Sequence, residues 1–390
     1  MKRLSILIAI ALIGAAPPPT TAVSTLATDT EARWVPFDLT PGNQIRFAMT
    51  INDLPVVAVL DTGVSASVVS RAFAAKARLK VQPRGMARAI GGTVPIGWAP
   101  VRGITIGGMT RQGGGIGVTA LPAAATGGTQ PVDVLVGHDL VAAYAIEIDY
   151  EAMQFRLLKS GRLPFRGVSA PLRIAPVQNV YITEITLGGR RLAPVVVDTG
   201  DGSSITLSQD AYRAARIAGV PTTTTIAYGL AGPMVSDLAI LPSVAVGKLV
   251  ASDVELRVER RGGFSHTIGA AGRIGSGFLQ HYRVLMDAGA GHIVFGPTRT
   301  TGTPPLRSTS GILIANEKDR LRVLHVMRGS PAEAGGWRPG DMICSIDGAP
   351  IPADYNGSTM SSWSVGQPGR TVSLGGCDGV ARPLTLSQFY

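Results

Sequence analysis

Many enzyme chemistries find no footing in this sequence. Two cysteines and five histidines in 390 residues are too scattered to form a ligand set, and no His-Glu-x-x-His occurs, so no metal site is expected. A Gly-x-Ser-x-Gly elbow, a Gly-x-Gly-x-x-Gly turn and a phosphate-binding loop are all missing. Serine-hydrolase, dehydrogenase and ATPase readings are thereby left without support, and no cofactor is implied. Aromatic residues make up 5% and charged residues 16% of the chain. The formal charge is +10, but the basic residues are scattered, with no Lys/Arg block and little aromatic interleaving. Nucleic-acid binding is therefore not expected. Long apolar runs are also scarce. One, Leu4–Ala16, is thirteen residues long, short of the ~20 that span a bilayer as a helix.

That run follows Lys2-Arg3 and precedes small residues, the pattern of a secretory leader over residues 1–22, with cleavage sites available after Ala16, Ala22 or Ala27. The mature protein is expected in the periplasm or outside the cell, without stable membrane insertion. Residues 17–33 are rich in Pro, Thr and Ala, and the segment 23–40 is read as flexible. The remaining length suggests two or three domains. A 45% apolar fraction supports sizeable cores, and 49 glycines favour a β-rich fold with many turns.

The chain is organised around one segment that occurs twice. Val57-Ala-Val-Leu-Asp61-Thr62-Gly63-Val-Ser65 has its counterpart in Pro194-Val-Val-Val-Asp198-Thr199-Gly200-Asp201-Gly202-Ser203. Each copy is a Val-rich run suited to a buried strand, ending at a carboxylate, a Thr and a turn-forming Gly. A carboxylate at the end of a buried strand costs free energy unless something uses it. Leu135-Val136-Gly137 lies downstream of the first copy and Arg273-Ile274-Gly275 of the second; 76 residues separate Asp61 from Gly137 and 77 separate Asp198 from Gly275. Tyr144 and Tyr282 follow those glycines by seven positions, Asp149 and Asp287 by twelve. A glycine-rich turn sits between in each copy, at Ile90-Gly91-Gly92 and at Tyr228-Gly229. Matched order and spacing mark an internal duplication of about 130 residues, far longer than a solenoid repeat.

Paired Asp-Thr-Gly segments, each followed by an apolar-apolar-Gly element, resemble the aspartic proteases of the retropepsin and pepsin clan. The resemblance covers roughly residues 40–298 and implies two lobes in one chain, 41–160 and 165–298, each a retropepsin-like β-barrel. It implies Asp61 and Asp198 as the catalytic pair, acting on a polypeptide substrate. Thr62 and Thr199 would lock the two loops across a pseudo-twofold axis. Gly63 and Gly200 would form the turns, and Val136-Gly137 and Ile274-Gly275 would pack behind them. Ile90, Gly91, Gly92, Tyr228 and Gly229 would belong to flaps over the cleft. In this family a Ser or Thr two residues after the Gly bonds the outer carboxylate oxygen. Ser65 holds that place in the first lobe. The second lobe has Gly202 there, preceded by Asp201, and Ser203 would substitute if the turn were one residue longer. Otherwise Asp198 would lose a hydrogen bond and gain a negative neighbour, both of which raise its pKa.

Residues 299–309 are a Pro/Thr-rich linker, and 310–390 form a separate unit. The run Ser330-Pro331-Ala332-Glu-Ala334-Gly335, Gly340-Asp341-Met-Ile343 and Ile346-Asp347-Gly348 resembles PDZ domains of the bacterial arrangement. A peptide or protein C-terminus would then add a strand to a sheet edge, with its carboxylate near the amides of Gly311, Ile312 and Leu313, beside a helix over Ser358–Val365. Both cysteines, Cys344 and Cys377, fall here; they are read either as a disulfide or as buried thiols.

The expected fold is all-β dominated. The expected function is exported aspartic endopeptidase with a PDZ-like domain for recruitment or regulation. The alternative is a catalytically weak or inactive peptide-binding scaffold on the same fold. Two lobes in one chain make a second copy unnecessary for the dyad, which favours a monomer.

Overall fold

The computed structural model describes residues 22–128 and 130–390. The leader expected over residues 1–22 lies outside them except for Ala22. Strands dominate the fold, arranged in several sheets, with short helices at their ends.

Each copy of the duplicated segment forms the same four-strand knot. In the first, Leu54–Leu60 runs parallel to Val134–Val136, which pairs antiparallel with Val68–Ser70, itself parallel to Gly115–Thr119. In the second, Arg190–Asp198 runs parallel to Gly272–Gly275, which pairs antiparallel with Ile205–Leu207, itself parallel to Leu249–Val258. Strands flanked on both sides and covered on both faces need continuous apolar runs. Accordingly Ala58, Val59 and Leu60 are fully buried, as are Val195 and Val197. A short helix follows each knot's second strand. Ser70 caps Arg71–Lys76 by accepting from the Phe73 amide at 3.0 Å, and Ser208 caps Gln209–Ala215 through the Ala211 amide at 3.2 Å.

The lobes are joined by one shared sheet. Ala145–Asp149 of the first pairs antiparallel with Tyr282–Asp287 of the second, with Ile146 opposite Met286 and Ile148 opposite Val284. Glu147, fully buried at this joint, accepts from Arg156 Nε at 2.7 Å within its own lobe and from Arg283 Nε at 2.9 Å across it. Two guanidiniums compensate a carboxylate whose burial alone would cost several kcal/mol. Asp149 and Asp287 close turns, accepting from the amides of Ala152 and Ala290.

The segment 23–40 is built into the fold, contrary to the expectation of flexibility. Val23–Leu26 pairs with Met109–Gln112, Val35–Leu39 pairs with both Ile45–Ile51 and Gln154–Leu158, and Thr30 Oγ1 donates to the Leu157 carbonyl at 2.7 Å. Composition misjudged this stretch because its order comes from covering an open strand edge, not from apolar content of its own.

The last sheet runs Ile312–Glu317, Arg320–Val326, Met342–Ile346, Thr371–Gly376, Ala381–Thr385, with Ile312–Glu317 at an edge. It has its own core around Leu321, Ile343, Trp363 and Leu374. Thr359–Val365 is a 3-10 segment rather than an α-helix; its Trp363 indole donates to the Tyr355 hydroxyl at 2.8 Å. Cys344 and Cys377 are disulfide-bonded, with Cα atoms 5.1 Å apart.

This unit docks on the long hairpin Thr223–Gly229/Gly232–Val246 of the second lobe. Leu238 and Ile240 of the hairpin pack with Leu313, Met327, Phe389 and Tyr390. Arg328 donates to Asp237 at 3.0 Å, and its carbonyl accepts from Thr223 Oγ1 at 2.7 Å.

Candidate active site

The two Asp-Thr-Gly loops meet face to face. Thr62 Oγ1 donates to the Val197 carbonyl at 2.7 Å and accepts from the Thr199 amide at 3.0 Å. Thr199 Oγ1 reciprocates, donating to the Leu60 carbonyl at 2.7 Å and accepting from the Thr62 amide at 3.1 Å. Both threonines are fully buried. Each hydroxyl thereby ties its own loop to the strand that delivers the opposite aspartate.

The glycines explain themselves by close approach. A Cβ on Gly63 would fall 2.3 Å from Asp198 Cγ, and one on Gly200 would fall 2.3 Å from Asp61 Cγ. Each carboxyl therefore lies directly over the other lobe's glycine, and only a residue without a side chain admits it. Behind the loops, a Cβ on Gly137 would meet the Val64 carbonyl oxygen at 2.7 Å, and one on Gly275 the Asp201 and Ser203 carbonyl oxygens at 2.3 Å.

Burial and mutual charge set the carboxyl chemistry. Asp61 is held well above the usual carboxylate range, first by desolvation and then by the negative charge of Asp198 and their shared hydrogen bond. Asp198 is raised to about 6, first by desolvation and then by the charge of Asp201, against the lowering influence of Arg273 and the Gly200 amide. Two carboxyls this close do not readily ionise together, so the pair holds one proton over a range of pH.

The hydroxyl partners expected for the aspartates are elsewhere. Ser65 is exposed and makes no hydrogen bond to Asp61 among the described residues. The buried serine of that loop is Ser67, which accepts from the Gly137 amide at 2.9 Å and donates to Asp139, itself paired with Arg111 at 3.3 Å. Ser203 donates to Asp201 at 2.6 Å, not to Asp198. Backbone amides serve the aspartates instead: Gly63 N at 3.2 Å from Asp61 Oδ1, and Gly200 N and Asp201 N at 3.0 and 3.1 Å from Asp198 Oδ1. Both lobes thus contain a Ser-Asp-Arg set, built from different chain positions, and pattern matching between the repeats does not find it.

Gly202 has a local cause. A Cβ there would lie 1.6 Å from the Gly42 carbonyl oxygen. The first-lobe turn at residues 40–44 occupies the space a serine would need. It clamps the second loop through Gln44 Nε2 to the Gly200 carbonyl at 2.9 Å and Asn43 Nδ2 to the Gly202 carbonyl at 3.2 Å. Arg273 is a further residue the pattern passes over. Its guanidinium is buried, 2.8 Å from Asp201, 2.7 Å from Glu259 and 3.8 Å from Asp198. The available signal was a lone Arg inside an apolar strand, a placement that demands buried partners.

A long hairpin extends from each lobe. Gln82–Ala89/Gly92–Pro100 turns at Ile90-Gly91, and the second-lobe hairpin turns at Leu230-Ala231, with Tyr228 opposite Pro233 in its ladder. The tips touch: Ala231 N donates to the Ile90 carbonyl at 3.2 Å, and a Cβ on Gly229 would fall 2.2 Å from that same oxygen. Gly91 has φ +94° and would place a Cβ 3.0 Å from the Gly232 carbonyl oxygen. Leu230 reaches across to the first lobe and packs against the apolar cluster that contains Val59, Val68 and Leu135.

In the C-terminal unit, two amides expected to take a peptide carboxylate have partners in this structure. Gly311 N donates to Ser308 Oγ at 2.9 Å and Ile312 N to Ser310 Oγ at 3.1 Å. Ile312 is buried in the core, and Leu313 faces the hairpin cluster. Among the described residues, no three His, Cys, Asp or Glu side chains converge as a metal-binding set.

No curated protein matches the chain. Residues 47–140, which carry Asp61 and the hairpin Gln82–Ala89/Gly92–Pro100, match the aspartyl protease family model, and residues 303–353 match that of the PDZ domain. The chain therefore contains an aspartyl-protease-like domain and, C-terminal to it, a PDZ domain.

Proposed function

We propose that the protein is an exported aspartic endopeptidase that hydrolyses peptide bonds in extended polypeptides through Asp61 and Asp198. The observation that carries this reading is the reciprocal threonine lock with each carboxyl seated over the opposite glycine. A loop that merely capped a turn would need neither. One carboxylate accepts a proton from a water held between the pair while the other, protonated, donates to the scissile carbonyl. The hairpins exclude bulk water and offer main-chain groups to an extended chain. Export rests on the apolar leader, and recruitment of a peptide on the edge strand Ile312–Glu317 of the PDZ domain.

A second reading, a peptide-binding scaffold with a weak or silent dyad, draws on one feature: Asp201 places a second buried carboxylate beside Asp198. Cleavage of an unfolded protein, assayed from pH 3 to 9 with Asp61→Asn and Asp198→Asn as controls, separates the two. Loss of cleavage in both variants supports the endopeptidase. Peptide binding without cleavage in the wild type at every pH supports the scaffold.

A further inference from the structure

We propose that Arg273, held by Asp201 and Glu259, is a positioning residue that divides the labour of the dyad: Asp198 is the anion that activates water, and Asp61 carries the proton. The inference rests on the proposed peptidase reading and deepens it.

The asymmetry is geometric. Asp198 accepts two backbone hydrogen bonds on Oδ1, from Gly200 and Asp201, and its Oδ2 lies 3.8 Å from Arg273 Nε. Asp61 accepts one backbone hydrogen bond, from Gly63, and has no cationic partner among the described residues. Hydrogen bonds and a nearby cation favour the ionised form of the group that receives them. The first lobe's counterpart guanidinium, Arg111, is spent on Asp139 and the Gly115 carbonyl.

Arg273 is fixed from three sides. Its Nε faces Asp201, and its Nη1 bonds Glu259 at 2.7 Å and Ser265 Oγ at 2.9 Å. The charged groups facing Asp198 are therefore Asp61 from the first loop, Asp201 from its own loop and Arg273 from the neighbouring strand. Glu259 faces Arg273, and Arg257, paired with Glu255 at 3.0 Å, also acts on Asp201. Asp201 opposes the ionisation of Asp198 while its pairing with Arg273 keeps the guanidinium in place. The outcome is an anion that forms on Asp198 before Asp61, but at a higher pH than Arg273 alone would set.

The reaction balances on this assignment. Asp198 takes a proton from water as the water oxygen bonds the carbonyl carbon, and Asp61 gives its proton to the carbonyl oxygen. In the collapse of the gem-diol, Asp198 returns its proton to the amide nitrogen, the C–N bond breaks, and Asp61 recovers a proton from a gem-diol hydroxyl.

The test is a pH titration of the carboxyl carbons in aspartate-labelled protein by NMR, assigned with Asp61→Asn and Asp198→Asn, alongside the pH profile of kcat/KM. In the wild type, Asp198 is expected to ionise first. Asp201→Asn, which removes a buried negative charge beside Asp198 and leaves Arg273 held by Glu259 and Ser265, is expected to move that transition and the acid limb of kcat/KM to lower pH by about one unit or more. Arg273→Lys, which keeps the charge, is expected to preserve the order of ionisation. A purely structural pair would lower stability or kcat and leave the limb in place. Ionisation of Asp61 before Asp198 in the wild type, or an unmoved limb in Asp201→Asn, overturns the proposal. Should Asp201→Asn fail to fold, the wild-type order decides alone. Should the wild type cleave nothing, the peptidase reading fails, while the NMR titration still reads the proton's location.

Discussion

Replacing Thr62 by Val removes one hydroxyl and keeps the side chain's shape. Two backbone groups lose their partner: the Thr199 amide and the Val197 carbonyl. Both lie at a fully buried threonine, where water does not readily replace the hydroxyl. A buried polar group left unpaired costs about 1–3 kcal/mol. The carbonyl, which has a second lone pair, belongs at the low end of that range and the amide higher, so the expected loss is about 3 kcal/mol. Thr199→Val strips a different pair, the Thr62 amide and the Leu60 carbonyl, and should cost a similar amount. The double variant should cost less than the sum, because loops already loosened by one change have less to lose from the other. Set against the ~5–15 kcal/mol that holds a typical domain together, either change is severe. The assay is hydrogen exchange under increasing guanidinium, read on peptides covering residues 54–62 and 190–199, with PDZ-domain peptides as internal reference. Thr62→Ser and Thr199→Ser keep the hydroxyl and are the controls. Valine variants within about 1 kcal/mol of the serine variants would refute the claim that the lock joins the lobes.

Other consequences follow from the same geometry. Introducing a hydroxyl by Gly202→Ser should impair folding and cleavage, because the new Cβ would meet the Gly42 carbonyl oxygen at 1.6 Å; soluble yield and thermal unfolding check this, and a stable, active variant would show that the 40–44 turn yields freely. Asp198, raised in the folded state from 3.8 to about 6, binds protons more tightly folded than unfolded between those values. Wild-type stability therefore falls as pH rises through that window. Relative to the wild type, Asp198→Asn should therefore be more stable at pH 7 than it is at pH 3, as read by denaturant unfolding at both. The wild-type cleavage profile should rise as pH passes about 6, where the first carboxyl ionises, and fall when Asp61 loses its proton at higher pH; a maximum below pH 4 would contradict the burial argument. Arg328→Ala removes the contact with Asp237 and should speed hydrogen exchange in residues 223–246 while the first flap, 82–100, is unchanged.

The sequence by itself determined the duplication, the strand-turn segments and the residues that meet at the centre. Those features are local or periodic: a Val run ending at Asp-Thr-Gly, an apolar-apolar-Gly at matched distance, and the Ser that caps Arg71–Lys76 and Gln209–Ala215. Each is dictated by backbone conformation or strand burial within a few residues, so it survives in the order of the letters. The PDZ signature was legible for the same reason, since its turns are written in Gly-Asp and Asp-Gly pairs.

Only the tertiary structure decided which groups support the dyad. Ser65 stands where a repeat pattern wants the hydroxyl, yet the buried hydroxyl is Ser67, because Asp139 and Gly137 approach that position and not the other. Gly202 reads as a defect until the turn at residues 40–44 is seen pressed against it. Asp201, Arg273 and Glu259 are separated by up to 72 residues and meet through strand pairing. The order of residues 23–33 and the docking of Arg328 on the second hairpin are likewise contacts between distant segments. Such contacts depend on which surfaces the fold brings within a few ångströms, and neither propensity nor spacing along the chain encodes that distance.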